Sequence, residues 1–345
     1  MNAAELRRHS PSLDHVSKPK PTTGAPGPTL DSNTAHPAGK AKYGRFRAFL
    51  RAVSVFVYFA SGCLTIHATQ IIGAPLYYAN RDLYYAYMSL TKASFGLLIT
   101  TMTQWWAPTV IRISGDASVA GQLNLTPDGR IECAFPERMV MIANHQVWHW
   151  INDPRRQTLR KLKTRHTGTN LSSNGRNKSA QWAAKMGLRD MEHLMLPRST
   201  GMFFCLNELR GTVDYVYDCT VAYEGVPRGK YGENYFTLSS TYFQGRPPKS
   251  VNFYWRRFAL ADIPLDSQEE FDKWLRERWY EKDALLEQYV STGRFPANAA
   301  GIKGHIETEV RTQYWWEFIK IFVMLGSFGL IFSFFLRTFR ALARG

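Results

Sequence analysis

The apolar residues of this chain fall into three long blocks with a mixed region between them. Residues 52–80 contain no Asp, Glu, Lys or Arg. A helix needs roughly 20 apolar residues to cross a bilayer core, so this block is long enough to span with a tilt. Arg45, Arg47 and Arg51 precede it, and Gly73 and Pro75 are placed to break the helix near its end. A second uncharged block, 93–110, lies between Lys92 and Arg112 and carries Thr100, Thr101, Thr103 and Gln104 before Trp105 and Trp106. The two blocks together predict a helical hairpin in a membrane. A third block, 318–336, is interrupted by Lys320, preceded by Trp315 and Trp316, and followed by Arg337, Arg340 and Arg344. Aromatic residues at one end and a basic exit at the other predict a transmembrane helix, and the positive-inside tendency places both chain termini in the cytosol.

The pattern changes between these blocks. Residues 138–143 form a short apolar run of strand length, and 212–224 and 250–258 are rich in Val, Tyr, Phe and Trp, as strands are. Residues 179–186 predict a helix stopped by Gly187. Residues 268–290 predict an amphipathic helix: Ser267 and Glu270 fit a capping box, and Phe271, Trp274, Leu275, Leu285, Leu286 and Tyr289 keep helical spacing along one face. Strands mixed with helices predict an α/β domain, and such domains gather reactive groups at the carboxyl ends of strands. Residues 1–42 are rich in Pro, Ser, Thr, Gly and Lys without an apolar period, which predicts a disordered tail. The expected organisation is a tail over 1–42, membrane helices over 43–111, the α/β domain over 112–310, and a transmembrane helix with a basic tail over 311–345.

Charge and composition narrow the partners. Lys and Arg total 43 against 28 Asp and Glu, a formal charge of +15. That balance calls for an anionic partner. Ten Trp and 17 Tyr beside long apolar blocks point to a lipid surface, and no nucleic-acid-binding spacing is present, so nucleic acid is not an expected partner. Cys63, Cys133, Cys205 and Cys219 form no CxxC pair, which argues against a zinc site and a disulfide framework and for reduced thiols.

The residue placed for chemistry is His145, which comes directly after the apolar run and Asn144. A histidine at the end of a strand is held by a rigid element, and its pKa near neutrality suits it to take a proton from a hydroxyl. Arg198, Arg176 and Lys178 are candidates to approach a phosphate, or equally a solvated or headgroup-facing surface. Arg256 and Arg257 read as surface charge, and His193 and His166 have no evident partner.

Met141-Ile-Ala-Asn-His-Gln146 resembles the first motif, NHxxxxD, of the glycerophospholipid acyltransferases. Leu196-Pro-Arg-Ser-Thr-Gly201 resembles that family's fourth motif. Arg210-Gly-Thr-Val-Asp214, Ala222-Tyr-Glu-Gly-Val-Pro-Arg-Gly229, Tyr242-Phe-Gln-Gly-Arg-Pro-Pro-Lys249 and Trp274-Leu-Arg-Glu-Arg-Trp-Tyr280 are similar to the fungal and animal branch of lysophosphatidic-acid and lysocardiolipin-type acyltransferases. Upstream, Ile72-Gly-Ala-Pro-Leu-Tyr77 and Thr103-Gln-Trp-Trp-Ala-Pro108 fit the same branch. The resemblance covers about 45–335.

The resemblance implies an integral protein of the endoplasmic reticulum membrane. Its α/β domain would be the acyltransferase-type mixed sheet flanked by helices, with N-terminal membrane helices and a C-terminal transmembrane helix. It implies that His145 is the general base: it activates a lysophospholipid hydroxyl, which attacks the thioester of acyl-CoA. Acyl-CoA is a co-substrate, so neither a metal nor a resident cofactor is expected. The acceptor would be 1-acylglycerol-3-phosphate or a lysophosphatidylinositol-like lipid. Gly168 and Thr169 match the end of the third motif, Phe-Pro-Glu-Gly-Thr, and with Arg198 they are expected to bind substrate.

Two positions depart from the family. The motif aspartate belongs five residues after the histidine, where Trp150 stands, and Thr167 occupies the position of the third motif's glutamate. Phe135-Pro-Glu137 is a decoy, because it precedes the histidine strand. Only 52 positions separate His145 from Pro197. Well-preserved flanks around that short stretch imply two internal deletions, near 148–152 and 168–169, so the expected domain is truncated between the first and fourth motifs. His149 and Asp153, four residues apart, are the one substitute His–carboxylate pair the sequence offers. The alternative expectation is a catalytically inactive membrane-bound isoform, or a mis-spliced product, lacking the motif Asp and Glu.

Overall fold

The computed structural model describes residues 36–127, 129, 131–136, 138–144, 165–167, 171–297 and 304–342. The tail before residue 36, the inferred deletion sites, and His145, His149, Trp150, Asp153, Gly168 and Thr169 all lie outside the described residues.

The chain opens with a hairpin of two long helices, α1 (Arg45–Gly73) and α3 (Arg81–Trp106), joined by the single turn of α2 (Leu76–Ala79). Helix α3 starts well before the uncharged block because Asn80 caps it: its side chain accepts a hydrogen bond from the Leu83 N–H at 3.0 Å. The seam between the arms is narrow and threonine-rich. A methyl group on Gly62 would lie 2.6 Å from the Leu98 side chain, and one on Gly73 would strike the Tyr87 ring. Tyr87 Oη donates to the Thr69 carbonyl at 2.7 Å, and Gln70 Nε2 donates to Thr91 Oγ1 at 3.1 Å. Small residues and interhelical hydrogen bonds let the two helix backbones approach closely. Phe46, Phe56, Leu64 and Ile71 point outward from α1.

Among the described residues, the stretch Arg45–Ala79 is the helix long and apolar enough to cross a membrane by itself. At the other end of the chain, Trp315–Val323 and Leu325–Arg340 are bent by 45° relative to each other and qualify only if the pair is one span. This region comprises a short 3-10 turn and α8 (Lys320–Leu342), which packs against α1 and α3 through Ile321 and exposes Leu330, Phe332, Phe334, Phe335 and Phe339.

Between these helical parts lies the mixed α/β domain. Its strands are β1 (Val110–Gly115), β2 (Leu123–Leu125), β3 (Ile131–Cys133), β4 (Met139–Ala143), β5 (Arg165–Thr167), β6 (Tyr215–Tyr223), β7 (Ser250–Ala259) and β8 (Ile306–Glu309). Its helices are α4 (Ser173–Met186), α5 (Thr200–Glu208), α6 (Gly232–Tyr235) and α7 (Gln268–Thr292). Six strands form one sheet in the order β5-β4-β6-β7-β1-β8. Strand β4 is parallel to both β5 and β6, β6 is antiparallel to β7, β7 is parallel to β1, and β8 closes the edge antiparallel to β1. Strands β2 and β3 pair separately.

Alternation along β6 divides the core. Val216 and Ala222 join Phe271, Leu275 and Leu286 of α7 on one face, while Tyr217, Cys219 and Tyr223 join Phe135, Phe253 and Trp255 on the other. The predicted cap of α7 is present, with Ser267 accepting from the Glu270 N–H. Helix α4 is capped by Ser172 and starts at Ser173, several residues before the apolar pattern begins, so Arg176 sits on a helix rather than in a loop. Gly187 ends that helix at φ +63.

Asp218, centred on the α7 face of β6, is fully buried. Opposite it in the sheet stands Arg256 of β7, whose Nη2 reaches Asp218 Oδ2 at 2.7 Å while its Nη1 reaches Glu281 at 2.6 Å. Lys282, also fully buried, comes down from α7 to pair with Asp218 and donates to the Cys219 carbonyl at 3.1 Å. Arg256 is therefore a core residue and not the surface charge its sequence context suggests. The strand's two-residue period turns it toward α7, and Asp218 compensates its charge. Burial lowers the pKa of Lys282, and Asp218 works against that shift.

Candidate active site

Strand β4 ends at Ala143, and the next residue, Asn144, is buried and extends the pairing with β6. Asn144 Nδ2 donates to the Val221 carbonyl at 2.9 Å, and Asn144 Oδ1 accepts from the Val221 N–H at 2.7 Å. The side-chain amide thus supplies one more rung after Ala143↔Cys219, the last backbone pair. The chain continues from this tied strand end into His145, which lies outside the described residues.

Immediately past Val221, residues 222–232 run off the carboxyl end of β6 and wall a cavity of about 260 Å³. Leu171, Glu192, His193, the α7 residues Leu286, Tyr289 and Val290, and Gly293 just after that helix complete it. The loop turns at Gly225 (φ +93) and Gly229 (φ +68), conformations in which a side chain is strained. Those turns bring Arg228 back over α7. There it forms a two-pronged contact with Glu287, at 2.5 Å on each prong, and reaches Glu192 at 3.1 Å.

The same carboxylate takes a third donor. His193 Nε2 donates to Glu287 Oε2 at 2.8 Å, and the Glu192 and His193 backbone N–H groups donate to the Asp283 carboxylate at 3.0 and 2.7 Å. The hydrogen bonds from Arg228 and then His193 hold the Glu287 carboxyl down to about 2. Ligand atoms of Glu192, His193 and Glu287 lie within 4.8 Å of one another. A metal cation there would have to displace the Arg228 guanidinium, so the cluster reads as a clasp between loop and helix.

Glu224, on the cavity's other wall, links it to the sheet. Arg112 Nη1 and Ser250 Oγ donate to Glu224 Oε2 at 2.8 and 2.6 Å, and Arg112 also holds Glu307. Burial pushes the Glu224 carboxyl up, but the bonds from Ser250 and Arg112 outweigh it, and the net shift is downward. Behind the lining residue Tyr289, Asn252 donates to Ser250 Oγ at 2.9 Å and to the Tyr289 hydroxyl at 2.8 Å.

Comparison with known proteins bears on what such an arrangement does. Residues 241–322 match the family model described as the acyltransferase C-terminus. An uncharacterized acyltransferase of Schizosaccharomyces pombe is 29% identical across 85% of this chain and 98% of its own length. The 2-acyl-1-lysophosphatidylinositol acyltransferase of Saccharomyces cerevisiae is 38% identical over 56% of this chain, and lysocardiolipin acyltransferase 1 of Danio rerio is 34% identical over 39% of it. These likenesses support a member of the glycerophospholipid acyltransferase family. The chain spans nearly the whole of the fission-yeast relative but about half of the budding-yeast protein and a third of the fish one. No solved structure matches it.

Of the residues expected to meet substrate, those described do not line the cavity. Arg198 is exposed in the stretch before α5 and does not line it. Arg176 is occupied: its guanidinium forms a two-pronged contact with Asp190 and donates to the Leu194 carbonyl, which makes it a brace for the 187–196 loop. Lys178 is an exposed residue of α4. His193, for which the sequence offered no partner, is held by Glu287. That partner lies 94 positions away, and only the docking of α7 brings it near.

Proposed function

We propose that this chain is an acyl-CoA-dependent lysophospholipid O-acyltransferase of the endoplasmic reticulum membrane, working in phospholipid synthesis or remodelling. The acceptor is a 1-acylglycerol-3-phosphate or a lysophosphatidylinositol-like lipid. His145 takes the proton of the acceptor hydroxyl, the hydroxyl oxygen attacks the acyl thioester, and the thiolate of coenzyme A leaves. Gly168, Thr169 and Arg198 bind substrate. The tie between Asn144 and Val221 carries this reading, because it fixes the end of β4, from which the chain runs on to His145, beside a cavity at the carboxyl end of β6. The exposed apolar faces of α1 and α8 favour a membrane setting, with α1 and α3 as the N-terminal membrane hairpin and α8 as the C-terminal membrane helix.

A specific observation favours a second reading, that this form of the protein is shortened and turns over poorly or not at all. The alignment with the fission-yeast protein runs 352 positions, more than the 345 residues of this chain, yet it engages 85% of the chain. The relative therefore carries segments inside the matched region that have no counterpart here. Trp150 and Thr167, standing where the family has its carboxylates, fit losses near 148–152 and 168–169. In a serine-protease triad, losing the orienting carboxylate costs ~10⁴ in rate. Assaying the purified chain with labelled acyl-CoA and a lysophospholipid panel, beside His145→Ala, separates the two readings. Turnover that needs His145 supports the first. No turnover here, together with turnover from a longer transcript of the same locus, supports the second.

A further inference from the structure

Residues 36–43, just ahead of α1, lie across the domain as a strap with a foothold at each end. His36, Pro37, Ala38 and Tyr43 are half-buried, and residues 39–42 between them are exposed. The first foothold grips the cavity loop and the short helix α6 that follows it. His36 Nδ1 accepts from the Ala38 N–H at 3.1 Å, so Nε2 carries the ring's proton and donates to the Tyr235 carbonyl at 2.7 Å. The same ring meets the Tyr235 and Phe236 rings edge-on. Ala38 packs against the core cluster that contains Phe236. Pro37 lies over Gly225, the first turn of the cavity loop, where an added methyl would stand 2.8 Å from the Pro37 Cβ. Glycine at 225 therefore serves two purposes, the φ of +93 and this close approach.

The second foothold grips the base of the hairpin. The Lys42 N–H donates to the Gln244 carbonyl at 2.9 Å, and an added methyl on Gly245 would stand 2.6 Å from the Tyr43 ring. Arg51 of α1 holds its guanidinium 4.1 Å from the centre of that ring, a cation–π contact. The guanidinium also donates to the Tyr242 carbonyl at 3.2 Å and to the Trp106 carbonyl, at the end of α3, at 2.7 Å. Arg51 thus joins both arms of the hairpin to the strap. Only Gly44 separates the strap from α1, and its carbonyl accepts from the Ala48 N–H at 2.9 Å.

We infer that residues 36–43 form a coupling strap, which makes the order of the 222–232 cavity wall depend on where the base of the α1–α3 hairpin sits. Coupling between two sites is reciprocal, so each foothold must feel a change at the other. The strap's contacts are independent of the acyltransferase chemistry, and so is their test.

Hydrogen exchange of the purified full chain in detergent, read by mass spectrometry, tests the coupling from both ends. Tyr43→Ala, at the hairpin foothold, is expected to raise exchange about fivefold in residues 225–232, the scale of one lost hydrogen bond. Gly225→Ala, at the cavity foothold, is expected to raise it by a similar factor in residues 48–54 of α1. His36→Ala removes both ring bonds without adding bulk, and it should reproduce the effect on 48–54 even if the methyl at 225 disturbs the loop by itself. Helix α7 is the reference within the same molecule and is expected to stay unchanged. Changes confined to the mutated foothold, or an equal rise through α7, overturn the coupling.

Discussion

The side-chain amide of Asn144 pairs with the backbone of Val221 in both directions, at 2.9 and 2.7 Å. It occupies the place of a backbone rung beyond the end of β4. Replacing Asn144 by Leu removes both bonds and leaves a peptide N–H and C=O of β6 without partners, at a cost of about 1–3 kcal/mol. Asn144→Asp keeps an acceptor for the Val221 N–H but faces the carbonyl with a second acceptor, so it should also destabilise. Equilibrium denaturation monitored by tryptophan fluorescence reads both. A Leu variant as stable as the parent would show that the tie is dispensable.

The Lys282–Asp218 pair leads to a different expectation. Lys282→Met leaves a buried carboxylate with Arg256 as its remaining counter-charge, and breaking such a pair costs about 3–5 kcal/mol. Adding Asp218→Asn removes the stranded charge and should recover a large part of that loss. A double-mutant cycle measures the coupling. Strict additivity of the two changes would contradict the pairing.

The clasp predicts a pH window. Glu287 has its carboxyl at about 2 in the folded chain against an ordinary 4.5. A depressed carboxylate contributes stability that is fully present above about 4.5 and is lost as pH falls towards 2. The group is exposed enough for solvent and salt to screen the contribution. Parent and Glu287→Gln should therefore differ in melting temperature at pH 6 in low salt and converge below pH 4.5. A gap that stays constant or widens in acid would rule out this origin.

Close packing in the hairpin predicts a steric effect. Gly73→Val drives side-chain atoms into the Tyr87 ring, an overpacking cost of about 1–3 kcal/mol, whereas Gly44→Val, at a position with open space around it, should be tolerated. Thermal stability of the two variants in one detergent compares them. Equal melting would mean that α1 and α3 do not pack along this seam.

Legibility in the sequence tracks the range of the interactions. Strands β4, β6 and β7 and helix α7 announce themselves through local period and caps, and the observed bounds lie close to the expected ones. Arg256, Lys282 and His193 could not be placed in this way. Their partners lie 38, 64 and 94 positions away: Arg256 meets Asp218 through the pairing of β6 with β7, and the other two contacts form only when α7 docks on the sheet. The start of helix α4 is hidden from the apolar pattern because a capping serine, Ser172, sets it. The cavity had one local signal, the glycines at 225 and 229, whose turns fold Arg228 back onto Glu287. Asn144 stood out in the sequence only as the neighbour of His145, and its bond to Val221 depends on the register of β4 against β6.

The proposed acyl transfer to a lysophospholipid, with His145 as base and Trp150 in place of the motif carboxylate, has one most direct test. It is the initial rate of labelled acyl transfer from acyl-CoA to lysophosphatidic acid and lysophosphatidylinositol, measured for the purified chain and for His145→Ala. Slow but measurable transfer that disappears in the variant is the predicted result. Transfer that survives His145→Ala, or none from the parent chain with either acceptor, would contradict it.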